Sequence, residues 1–95
     1  MGLKEAYQQK MDAQLKEWSV DIDQLKAKAG SAKADLKVAY EKQLAELRAK
    51  HGEGRTKLDE IKESSGDAWE ELKTGTDHVL NEIQAHLKSA KDKFK

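Results

Sequence analysis

A chain of 95 residues has room for a single domain, and with only 37% hydrophobic residues it carries too little apolar side chain for a thick core. Its 18 basic and 18 acidic side chains cancel, which removes the overall field that generic nucleic-acid or polyanion binding needs. The absence of cysteine excludes disulfides and thiolate metal sites and is compatible with a reducing compartment.

Alanine, Lys, Glu, Leu and Asp dominate, proline is absent and 38% of residues are charged. That composition belongs to long helices and coiled coils, so the expected class is all-α. The first ten residues contain no apolar run resembling a signal peptide, and no later window approaches a membrane span. Gly2 would suit myristoylation, but Ala6 stands where Ser or Thr is wanted. The expected location is cytoplasmic.

The first element is a helix over about residues 3–50. Met11, Leu15, Trp18, Ile22, Leu25, Ala29, Ala32, Leu36, Tyr40, Leu44 and Leu47 follow one another in steps of three and four, the spacing of a coiled-coil seam. Gly30 and Ser31 interrupt good helix formers, but one glycine costs only about 1 kcal/mol against alanine, so the reading continues through them.

Between Arg48 and Lys57 the apolar residues run out, Ala49 excepted. Lys50 and His51 suit a helix C-terminus, and Gly52 and Gly54 are free to take positive φ, which predicts a turn at about 51–54. A rival hinge lies at 64–67, where Ser64-Ser65-Gly66-Asp67 resembles an N-cap followed by an acidic first turn.

The second helix is expected over about 55–94, with Leu58, Ile61, Trp69, Leu72, Thr76, Leu80, Ile83, Leu87, Ala90 and Phe94 in its seam. Ala68, Val79 and Ala90 form an eleven-residue row, which implies nearly straight packing. With the turn at 51–54, facing residues have numbers summing to about 105. Leu25 then meets Leu80, Ile22 meets Ile83, Met11 meets Phe94, and Gly30 and Gly75 share a narrow level. The acidic run from Asp59 to Glu71 lies opposite Lys33, Lys37 and Lys42. The predicted fold is a long antiparallel helical hairpin, a rod of ~60–70 Å. Val20, Ala27, Ala34, Val38, Ala68 and Val79 widen its apolar face, so a homo-oligomer is expected, most simply a dimer forming a four-helix bundle.

His78, Glu82 and His86 stand at i, i+4 and i+8, a spacing that suits a divalent metal. A solvated outer face explains the same row, and there is no Glu-x-x-His of the kind that lines di-iron bundles. Trp18 and Trp69 could stack on a ligand, but seam spacing assigns both to the core. Lys88, Lys91, Lys93 and Lys95 with Phe94 could touch anionic lipid or another polyanion, or form an ordinary helix terminus. There is no phosphate-binding loop, no Gly-x-Ser-x-Gly and no His-Glu-x-x-His. No catalytic, cofactor-binding or metal residue is assigned, and an enzyme is not expected.

The segment Ser65-Gly66-Asp67-Ala68-Trp69-Glu70-Glu71-Leu72-Lys73-Thr74-Gly75 resembles the signature of a group of short bacterial coiled-coil proteins, some of them assigned to stress responses. Leu15-Lys16-Glu17-Trp18, Asp21-Ile22-Asp23, Tyr40-Glu41-Lys42-Gln43 and Lys91-Asp92-Lys93-Phe94 extend the resemblance along most of the chain. Such proteins tend to carry an unbroken charged helix where this chain has His51-Gly52-Glu53-Gly54, which adds weight to the 64–67 hinge, and an aromatic residue where it has Leu80. The resemblance implies a soluble, non-enzymatic bacterial protein linked to stress. The expected function is that of a structural or interaction protein; the alternative is a peripheral helix binding a membrane or another apolar surface.

Overall fold

The structure is a computed structural model that describes residues 2–93. All secondary structure among them is helical: α1 spans Leu3–Gly30, α2 Ala34–Glu63 and α3 Ala68–Lys93. The helices pack as a rod of 51 × 19 × 19 Å. Contacts between side chains and facing helices define its topology. His51 reaches Leu15, Arg55 reaches Asp12 and Lys4 reaches Ser64, so α2 runs antiparallel to α1. Lys50 meets Glu82, so α3 reverses again, and Tyr7 with Asp77 and Lys91 with Asp21 set α3 parallel to α1. α2 is the central member: α1 and α3 both pack along it more closely than they pack on each other.

Each helix forms because its apolar residues line one face. α1 buries Leu15, Trp18, Ile22, Leu25 and Ala29. α3 buries Trp69, Thr76, Val79, Leu80, Ile83, Leu87 and Ala90. Thr76 belongs in that row because its hydroxyl donates to the Leu72 carbonyl at 3.0 Å, leaving only its methyl to be accommodated. In α2 the inward line is Tyr40, Leu44, Leu47, His51, Gly54, Leu58 and Ile61, an unbroken alternation of four and three residues.

That alternation overturns the turn at 51–54. The apolar gap is not an interruption of the helix, because His51 and Gly54 hold seam positions within it. Neither Gly52 nor Gly54 has positive φ; Gly66, at φ 58, is the one described residue that does. Thr56 donates its hydroxyl to the Gly52 carbonyl at 3.0 Å, and Lys50 sits 3.7 Å from Glu53 on the same helix. The two-helix pairing therefore does not form. Leu47 and Leu58 share a helix, and Lys33 lies ~39 Å along α2 from Asp59 at 1.5 Å per residue. Gly30 and Gly75 do not make a shared narrow level, since a Cβ on either would meet nothing within 4 Å. The Met11–Phe94 pairing lies outside the described residues.

The chain reverses at two other places. The 64–67 hinge is one: the Ser64 hydroxyl and amide both donate to the Ile61 carbonyl, at 2.6 and 3.1 Å, and Gly66 takes the left-handed conformation that follows. The other is Ser31–Lys33, which the sequence reading passes over. Here the Ser31 amide and hydroxyl return to Lys28, each at 3.2 Å, and Lys33 is extended at φ −66, ψ 156. Three shorter helices prevail over two long ones because each seam is then enclosed from two directions. Leu47, Leu58, Ile61 and Ile83 reach complete burial, and fully burying an aliphatic side chain stabilises by about 1.5–3 kcal/mol.

The two glycines of the former gap should respond oppositely to substitution. Gly52 is helical with open space where its Cβ would be, so Gly52→Ala is expected to raise stability by about 0.5–1 kcal/mol. Gly54→Leu should lower it by about 1–3 kcal/mol through overpacking. Urea unfolding followed by circular dichroism measures both; a destabilising Gly52→Ala would argue for a turn at that residue.

Candidate functional site

Gly54 is the glycine against which the other two helices close. A Cβ built there would lie 3.1 Å from Ile83 Cδ1, 3.3 Å from Leu15 Cδ2 and 3.6 Å from Leu80 Cδ2. Side chains from α1 and α3 thus fill the space that α2 leaves. One turn earlier, His51 Nε2 lies 2.8 Å from the Leu15 carbonyl. A carbonyl can only accept, so the ring donates from Nε2. The bond ties the α2 side chain to the α1 backbone beside the residue that packs on Gly54.

Outside this level α2 and α3 carry a polar cluster. Lys50 Nζ is 2.8 Å from Glu82 Oε2, and His78 Nε2 is 3.1 Å from Glu82 Oε1. The hydrogen bond with Lys50 is the main reason that Glu82 titrates below the ordinary carboxylate value, and the same bond raises Lys50. His86 lines a shallow furrow of about 310 Å³ with Glu46, Ala49, Lys50 and Glu53. The row His78, Glu82, His86 is therefore only partly assembled: His78 and Glu82 meet, and the second Glu82 oxygen is held by an ammonium rather than left for a metal. Among the described residues no three His, Cys, Asp or Glu side chains converge in a way that could hold a metal ion.

A third group joins the start of α1 to the α2–α3 hinge. Lys4 Nζ donates to the Ser64 carbonyl at 2.5 Å, and Tyr7 donates its hydroxyl to Asp77 Oδ1 at 2.5 Å. The Tyr7 ring lies 5.9 Å from that of Trp69, with Lys73 Nζ 5.5 Å from its centroid. Burial first, and then the bond to Asp77 and its charge, push the Tyr7 phenol far above its ordinary value of 10.0.

Trp18 and Trp69 are both buried, as seam spacing predicts. At the basic end Lys91 pairs with Asp21 at 3.2 Å, while Phe94 and Lys95 lie outside the described residues. The sequence reading missed Tyr7, Asp77, Asp12, Lys50 and His51. Asp12 receives both Arg55 at 2.9 Å and Lys62 at 3.3 Å. Only His51 left a usable signal, since it continues the α2 alternation; the ion pairs depend on which helices are neighbours. The larger furrow between α1 and α3, about 370 Å³, is bordered by Trp18, Leu87 and charged residues and is open along its length. No described buried side-chain nitrogen or oxygen lacks a hydrogen-bond partner. Comparison of the chain with family models, curated proteins and solved structures finds no match in any of the three.

Two measurements probe these groups. A depressed Glu82 adds stability that is present above pH 4.5 and lost as pH falls through its lowered value. A raised Lys50 adds stability that is present below pH 10.5 and lost as pH rises through its raised value. The stability difference between wild type and Glu82→Gln should therefore be largest near neutrality and vanish at both extremes of a denaturation series against pH. Tyr7→Phe should cost about 0.5–1.5 kcal/mol at neutral pH. Because a raised phenol stabilises the fold below its ordinary value and loses that contribution as pH rises through the raised one, the loss should shrink in strong alkali.

Proposed function

We propose that the chain is a non-enzymatic, soluble helical protein that serves as a structural or interaction element in the cytoplasm, with the stress-related role that the resemblance implies. The observation that supports this most is how the polar side chains are used. Lys50 with Glu82, Asp12 with Arg55 and Lys62, Tyr7 with Asp77, Asp21 with Lys91 and His51 with the Leu15 carbonyl all join one helix to another. Each of these polar groups is engaged in holding one helix against another.

Self-association remains part of the proposal. Two hairpins would have formed a four-helix bundle through their open seams, but here the seams are covered within one chain. A second copy that docks on the closed bundle would use what it leaves exposed, where Leu3, Val20, Leu36 and Val38 are the large apolar residues among those described. Burial of the seams also favours this reading over a peripheral membrane protein, whose apolar face has to be available to lipid. Among the described residues no helix is long and apolar enough to cross a membrane.

Vesicle binding separates the two readings. Mass and helicity are expected to be the same with and without vesicles of anionic phospholipid, and the chain should not co-sediment with them. Co-sedimentation with altered tryptophan emission would replace the interaction reading with the membrane one.

A further inference from the structure

The two hinges differ in a way that bears on association. The α2–α3 hinge is committed to turning by Gly66, at φ 58. The α1–α2 hinge has no such residue. None of Ser31, Ala32 and Lys33 has positive φ, and the N-cap position of α2 is Lys33, whose side chain makes no capping bond. The apolar line also crosses this hinge in phase, as Ile22, Leu25, Ala29, Ala32, Leu36 and Tyr40. On one straight helix they would form a continuous seam, yet Leu36 is 52% exposed in the bundle.

We propose that the α1–α2 hinge can straighten and that two copies then exchange α1, each docking its α1 on the partner's α2 and α3. The occupant of the opened seam is a second copy of this chain, because only that copy offers the surface α1 already fits. This deepens the interaction reading given above and rests on it. The straightened helix would run from Leu3 to Glu63, ~90 Å at 1.5 Å per residue. Existing contacts fix its register. Leu15 with His51 and Asp12 with Arg55 have numbers summing to about 66, so the twofold axis falls beside Lys33, inside the hinge. Across that axis the two Leu36 side chains approach to ~9 Å along the helix direction, while every α1 contact seen within one chain recurs between chains.

The hinge geometry provides a selective test. Ala34 is the first residue of α2, where an amide has no helical acceptor, and Lys33 before it is extended, as a residue preceding proline should be. Ala34→Pro therefore suits the bent hinge and is incompatible with a helix continuing through Gly30. Gly30→Ala, with open space at its Cβ, favours the straight form. Wild type, Ala34→Pro and Gly30→Ala would be refolded from denaturant at low and high protein concentration and their masses measured by light scattering. Expected is a dimer from concentrated wild type, more of it from Gly30→Ala and none from Ala34→Pro, whose helicity is unchanged. The chain has no cysteine, so Asp12→Cys and Arg55→Cys chains of different mass can be mixed, refolded and treated with a short bismaleimide. Exchange predicts a cross-link joining position 12 of one copy to position 55 of the other. Absence of a dimer at every concentration, an equal dimer from Ala34→Pro, or a dimer lacking the 12–55 cross-link would each overturn the exchange. The vesicle experiment is independent of these results and tests the interaction reading itself.

Discussion

Everything in this bundle depends on the missing side chain at Gly54. Leu15 from α1 and Leu80 and Ile83 from α3 close over the α2 backbone there, and that closure lets one central helix serve two neighbours. A helix-interior glycine costs about 1 kcal/mol in propensity. The contacts it admits offset that cost, and at this level the bundle is set by atoms that are absent as much as by those present. His51 adds direction: apolar contacts tolerate sliding along a seam, whereas a ring nitrogen meeting one particular carbonyl does not.

The same residues explain how far the sequence could be read. Helix class, burial of both tryptophans and most seam residues follow from three-and-four spacing, which is local to each helix and survives any arrangement of them. The reversals were harder. Gly52 and Gly54 carry strong turn chemistry, and only the alternation from Tyr40 to Ile61, with a histidine and a glycine counted as inward positions, shows that the helix continues. At Ser31–Lys33 the difficulty is inverted, because the apolar line crosses the hinge without a change of phase. Whether such a line bends is decided by the enclosure that three helices achieve, which periodicity does not encode.

The candidate site was less legible still. The histidine row on α3 was visible from spacing, but its carboxylate is occupied by Lys50 from α2, a neighbour that the hairpin register would not have supplied. Asp12, Asp77 and Tyr7 acquire partners between about 40 and 70 positions away in sequence. Their identities could be read from the chain, but their roles depended on the order of the helices.

The placement of the aromatic rings gives the molecule two separate optical signals. Trp69 packs with Tyr7 at the end where α1 begins, while Trp18 sits ~17 Å beyond Tyr7 along α1 by helix rise. With Tyr7 hydrogen-bonded to Asp77 and its ring beside Trp69, light absorbed by the phenol is readily passed to that indole. Emission from Trp69 thus reports whether the first turns of α1 are seated, and Trp18 reports the middle of the bundle, so fraying at one end can be told from loss of the whole without any added label.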